Sequence, residues 1–222
     1  MGCSSRAILS SQDRGEDRDV LDAAIGFAAY YHRSQTRASR QGLSWTHYIE
    51  HPLRVCLRLR RWGITALPVL VAAVLHDVLE DCHEEIEEDF HRPAAEVLQS
   101  AFGDEVALIV KALTNPPTVP GATRAERNAR YLDHVAVAVR DDRVLMVKFS
   151  DFADNALSLH HHQHLDGMAS RLATKYAPLV PIFDRALSDL IFNSAEQQYM
   201  GAAVKMKAAL TKNQLAELAS HR

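Results

Sequence analysis

The pair His76-Asp77 is the first place in this chain where residue types ask for a chemical explanation. An imidazole and a carboxylate stand side by side at the end of an apolar run, within LPVLVAAVLHDVLEDC at 67–82. A carboxylate in such surroundings is costly unless it is paired or bound to a cation. Neighbouring side chains on a helix diverge by about 100°, yet both can reach one ion lying beside it. His51 and Asp151 can complete the set. The sequence His51-Pro52 marks a helix opening, because proline is tolerated in a first turn, so this imidazole has a fixed direction. Asp151 is a carboxylate in another largely apolar run, 144–159. Two imidazoles and two carboxylates suit Mn²⁺, Fe²⁺ or Zn²⁺ and leave room for water and a phosphate oxygen. Glu80 and Asp81 follow His76 and Asp77 by four residues, on the same helical face, where a carboxylate can orient or deprotonate a water. This is hydrolase chemistry.

The elements that must position these groups read as helices. Apolar residues recur at three-to-four spacing from Asp19 to Arg37, with Asp19 or Asp22 favouring the start. Residues 38–50 form a loop in which Trp45 and Tyr48 are expected as aromatic anchors. A helix from His51 stops at Gly63, and Thr65 is placed to cap the next, which runs through His76 to Cys82 and is apolar enough to occupy the middle of the domain. Shorter helices are expected over 84–90, 94–102 and 104–113, then a Pro-rich loop at 115–121, then helices over 124–139, 141–159, 165–176, 181–192 and from 195 to about 218. The fold class is all-α, a many-helix domain over 18–194 with a polar tail at 1–17 and a C-terminal helix within 195–222 packing on or extending it.

Composition excludes several classes. With 222 residues, 47% apolar and 24% charged, the chain is neither mostly disordered nor fibrous. A net charge of -3 argues against a nucleic-acid partner but allows a small anionic substrate. Three cysteines without paired spacing support neither a disulfide framework nor a zinc knuckle, and a cytoplasmic setting is expected. The apolar stretch 64–79 is too short for a bilayer, so no membrane partner is expected. The opening MGCSSR lacks the Ser or Thr that myristoylation wants at position 6. A homodimer is compatible with all of this.

Several motifs, in order, resemble one family. They are HRSQTR at 32–37, YIEHPL at 48–53, AAVLHDVLED at 72–81, FGDEV at 102–106 and VKFSD at 147–151 with Asn155. The chain resembles the HD-domain phosphohydrolases over roughly residues 20–180, and within them the alarmone, or (p)ppGpp, hydrolase branch. The resemblance implies that His51, His76, Asp77 and Asp151 hold Mn²⁺, that Glu80 and Asp81 activate the attacking water, that Arg37 lies against the guanine base and that Asn155 contacts the nucleotide near the ion. Lys148 is assigned to the substrate side as well, the alternative being support of the site from behind or a surface lysine. The implied activity is removal of the 3′-pyrophosphate of (p)ppGpp. Departures from the family are also present: Ala38, Phe152 and Leu157 stand where the family carries basic residues. The alternatives are an HD phosphohydrolase acting on a nucleoside monophosphate or NADPH, and an HD module that binds a nucleotide without turnover. The tract His160-His161-His162 with His164 reads as a solvated turn, His32 as a core histidine, and residues 84–89 as a solvated acidic face.

Overall fold

Apolar residues spaced three and four apart fold the first described segment, Asp17–Tyr31 (α1), and bury its Ala24, Phe27, Ala28 and Tyr31. The structure, a computed structural model, describes residues 17–38, 45–157, 159, 168–193 and 197–211. The expected tail through residue 16, the histidine tract at 160–164 and the chain beyond 211 lie outside the described residues.

α1 stops at Tyr31, six residues short of the expected end. Beyond His32 the spacing offers no further apolar residue to bury, and the Gln35 N–H turns back to the His32 carbonyl. The chain then forms a hairpin instead of a loop, with β1 (Thr36–Ala38) antiparallel to β2 (Trp45–His47) and Arg37 opposite Thr46. Three-residue strands are too short to announce themselves by alternation. Trp45 is 66% exposed, so it does not anchor this segment; Tyr48, just beyond, does.

α2 (Glu50–Trp62) buries His51, Pro52, Val55, Cys56 and Leu59. It ends as expected at Gly63, whose φ of +103° lets its N–H reach the carbonyls of Leu59 and Arg60. α3 (Leu67–Leu75) is capped by the backbone of Ala66 rather than by Thr65, and Val69 through Leu75 are all buried. It is the central helix, contacted by α1, α2 and two later helices. The expected continuation through Cys82 is interrupted: the chain turns at His76-Asp77 and resumes as the short α4 (Val78–Asp81), whose Glu80 and Asp81 amides bond back to the Asp77 carbonyl. The His76 ring is hydrogen-bonded to the Ala73 carbonyl at 2.9 Å, which fixes the imidazole where the helix ends.

The rest is helical: α5 (His83–Phe90), α6 (Ala94–Phe102), α7 (Asp104–Leu113), α8 (Arg124–Ala138), α9 (Asp142–Asn155), α10 (Met168–Tyr176), a 3₁₀ turn at Ala177–Leu179, α11 (Val180–Asn193) and α12 (Gln197–Thr211). Thr123 and Glu126 form a capping box at the start of α8. α9 ends at Asn155, before the expected 159, and Val144 through Asp154 are all buried. It packs against α2, α3 and α7, and α7 in turn packs against α3. The fold is thus all-α, as the sequence indicates, with one small hairpin added. Among the described residues no helix is long and apolar enough to cross a membrane.

Leu70 lies at the centre of α3 with 1% exposure. Leu70→Ala should destabilise the protein by about 2–5 kcal/mol, the range for a leucine deleted from a packed core. The check is a lowered urea midpoint with unchanged slope; a loss below about 1 kcal/mol contradicts the central placement of α3.

Candidate metal centre

His51 comes from the first turn of α2, His76 and Asp77 from the break after α3, and Asp151 from the buried face of α9. Hydrogen bonding decides which atoms they present. The Nδ1 of His76 faces the Ala73 carbonyl at 2.9 Å and that of His51 faces Asp154 Oδ2 at 2.8 Å. Both partners accept only, so each Nδ1 carries a proton, and each Nε2, once it gives up any proton of its own, presents a lone pair. His76 Nε2 lies 3.0 Å from Asp77 Oδ2 and 3.8 Å from Asp151 Oδ1. His51 Nε2 lies 3.2 Å from Asp151 Oδ1 and 3.7 Å from Asp77 Oδ2. With both Nε2 atoms deprotonated, four acceptor atoms face one another.

Titration follows from this crowding. Burial alone would lower the imidazole of His76, but the carboxylates of Asp77 and Asp151 and the Ala73 carbonyl push it up to about 9. Burial would raise the carboxyl of Asp77, and here too it is outweighed: the imidazoles and the Tyr48 hydroxyl, which donates at 2.6 Å, hold it far below the usual carboxylate range. Asp151 is held low by His51 against the same penalty. The Tyr48 phenol is raised far above its ordinary range by burial and by the Asp77 charge, so it stays protonated as a donor. The centre demands positive charge.

Behind it lies a group that sequence reasoning missed. Asp154 is 1% exposed and receives, besides His51, the guanidinium of Arg58 at 2.6 Å and that of Arg54 at 3.0 Å. Arg54 also pairs with Glu50 one turn earlier in α2. The signal was present as spacing: Asp154 follows Asp151 by three residues on α9, and Arg54 and Arg58 follow His51 by three and seven on α2. Tyr48, expected only as an aromatic anchor of its loop, also belongs to the centre through its hydroxyl on Asp77.

Glu80 accepts hydrogen bonds from the backbone N–H of Asn115 at 3.2 Å and its Nδ2 at 2.9 Å, so it faces the loop after α7. Asp81 lies at the exposed edge, its carboxyl raised to about 6 by partial burial and by the charges of Asp77 and Glu80. Arg37 reaches in from the hairpin and donates to Asn155 Oδ1 at 2.8 Å, and Asn155 donates to Asp151 Oδ1 at 2.5 Å. Lys148 is buried, not a surface lysine, and its Nζ donates to the Leu113 carbonyl at 3.1 Å. His32 is buried against the Tyr48 ring, with Nδ1 2.9 Å from Gln35 Oε1.

The HD domain family matches residues 24–180, a span containing every residue of this centre. The chain belongs to the HD-domain family of metal-dependent phosphohydrolases. It is 32% identical over 161 residues to the zebrafish (Danio rerio) guanosine-3′,5′-bis(diphosphate) 3′-pyrophosphohydrolase MESH1, covering 72% of this chain and 73% of that one. The protein of the same enzyme name from Aquifex aeolicus is 30% identical over 163 residues, 72% of this chain but 21% of that one. A solved structure described as a metazoan ortholog of SpoT that hydrolyzes ppGpp superposes with a TM-score of 0.61 at 21% identity, covering 88% of this chain and 96% of that one, which shows the shared fold. The HD family implies a divalent metal ion, and the residues present fit one: ligand atoms of His51, His76 and Asp77 lie within 4.8 Å of one another, and His76 Nε2 is buried without a hydrogen-bond partner.

The Asp154 network generates a prediction. Asp154→Ala strands two guanidiniums and frees the His51 ring, so stability should fall by about 3–5 kcal/mol, the cost of breaking a buried ion pair. Asp154→Asn should fold yet bind a divalent ion about 10–100-fold more weakly, as for partners that orient metal-binding imidazoles. Urea unfolding and a metal titration check these, and wild-type values in both would refute the role.

Proposed function

We propose that this chain removes the 3′-pyrophosphate of guanosine 3′,5′-bis(diphosphate), with Mn²⁺ held by His51, His76, Asp77 and Asp151. The observation that carries the reading is the convergence of two tautomer-locked imidazoles and two carboxylates, with Glu80 and Asp81 one short helix away. The names of the relatives, at about 30% identity over most of the chain, support the choice of substrate. When bound, the ion supplies positive charge that polarises a phosphate oxygen and makes water a nucleophile at neutral pH.

The chain's own groups do the rest. Asp81, partly exposed and beside the centre, receives one proton of the attacking water, and Glu80, held by Asn115, orients that water. Water oxygen bonds to the phosphorus attached at the 3′ position, the bond from that phosphorus to the 3′ oxygen breaks, and the 3′ oxygen takes up a proton. Pyrophosphate and the nucleoside 5′-diphosphate leave. The planar guanidinium of Arg37, 5.8 Å from the Tyr48 ring and tethered to Asn155, covers a purine face. Asn155 holds Arg37 and Asp151 in register and contacts the nucleotide beside them. Lys148 places a positive charge near Asp151 on the substrate side of the buried wall.

The test is turnover by Mn²⁺-loaded protein of ppGpp against GMP, dAMP and NADPH. Turnover of ppGpp should be the fastest and should release pyrophosphate rather than phosphate; no ppGpp cleavage beside rapid hydrolysis of another member would transfer the assignment to that nucleotide. Glu80→Gln and Asp81→Asn should each keep the metal and lose about 10²-fold in kcat, as when a general base is removed. Wild-type rates in both variants would place the proton transfer elsewhere.

A further inference from the structure

The departures from the family leave a question of charge. Phe152, which stands at a position basic in the family, is buried among Phe149, Tyr176 and Phe183, so no cation can be restored there. Beside the centre, however, α8 and α10 bring other cations together. A cavity of about 250 Å³ is lined by Glu80, Asn115, Arg127, Arg130, Tyr131 and Lys175, with the Pro-rich loop as its lip. This is smaller than the roughly 300–1,000 Å³ of a pocket that takes a whole ligand, and so suits one group of a molecule whose remainder lies elsewhere. Glu80 forms part of its wall, and Lys175 in the same wall is near enough to Asp151 to feel that carboxylate's charge.

Its charge is unbalanced. Three cations face one carboxylate, and Glu80 already accepts from Asn115. Among the described residues, neither Arg130 nor Lys175 has an acidic side chain within salt-bridge distance. The Lys175 ammonium lies 4.6 Å from the centroid of the Tyr131 ring and 5.1 Å from that of Tyr176, half-buried between α8 and α10. Arg127 stands exposed at the rim, held to the Ala122 carbonyl. Cations drawn into a concave, partly desolvated site without counter-charge are arranged for an anion.

We propose that Arg130 and Lys175, with Arg127 at the rim, form an anion subsite that holds the pyrophosphate group of the substrate beside Glu80 and makes up for the cations missing at Ala38, Phe152 and Leu157. The proposal rests on the reading of the chain as a pyrophosphohydrolase, but its test does not require turnover. Inorganic pyrophosphate is titrated calorimetrically into wild type, Lys175→Met, Arg130→Gln and, as a control, Lys111→Met, an exposed lysine outside the cavity, first in the metal-loaded protein and then after metal removal. Each of Lys175→Met and Arg130→Gln should weaken pyrophosphate binding about tenfold or more in both states, the loss of one charge-assisted contact, while Lys111→Met should not. With ppGpp as substrate, KM should rise in the same two variants with little change in kcat. Wild-type pyrophosphate affinity in both variants, or no pyrophosphate binding by metal-free wild type, overturns the subsite. Failure to cleave ppGpp with the binding pattern intact overturns the substrate assignment and leaves the subsite standing.

Discussion

Four lone-pair-bearing atoms turned toward one another in a protein interior are stable only if positive charge is supplied among them, and the arrangement of α2, α3 and α9 follows from that constraint. The outer network balances itself: Asp154 and Glu50 offset Arg54 and Arg58. What remains inside is the pair of carboxylates on Asp77 and Asp151, whose charge the imidazole of His76, raised to about 9, and the buried Lys148 offset in part. A divalent cation answers that imbalance, and a single proton on His76 answers it only in part.

Two buried helices make the constraint possible. α3 is apolar over its whole length, and α9 is buried from Val144 to Asp154, so both lie in the middle of the bundle and α9 carries Lys148, Ser150, Asp151 and Asp154 in with it. The chain breaks after Leu75, which lets His76 and Asp77 aim at one point and turns Glu80 outward to the Asn115 loop. α2 brings His51, Arg54 and Arg58 along one face and thereby links the orientation of an imidazole to the folding of the helix pair. Disturbing Asp154 acts on stability and on the centre together.

Much of this was legible in the sequence, for a physical reason. His76-Asp77 and Asp151 are conspicuous because charged groups in apolar runs need an explanation, and His51 because proline fixes a helix start. The structure brings these four together. Asp154 was hidden by the same logic: next to Asp151 it added nothing to the pattern, and only the approach of α2, a tertiary fact, gives it partners. The break after Leu75 has no glycine or proline to announce it, and the hairpin at 36–47 is too short for alternation. Trp45 was expected to anchor its loop because aromatics usually do, but it sits opposite Ala38 on the outward side of the hairpin, while Arg37 and Thr46 face inward. The cations of α8 and α10 are far from the motifs in sequence and meet only through packing.

The central claim, that the four converging groups hold a metal ion, is tested most directly by elemental analysis of wild type, His76→Ala and Asp77→Ala purified in parallel from metal-supplemented culture. The account predicts about one divalent transition-metal ion per wild-type chain and essentially none in either variant, each shown to be folded by its circular dichroism. A full metal complement in both variants, or a folded wild type that carries none, would contradict it.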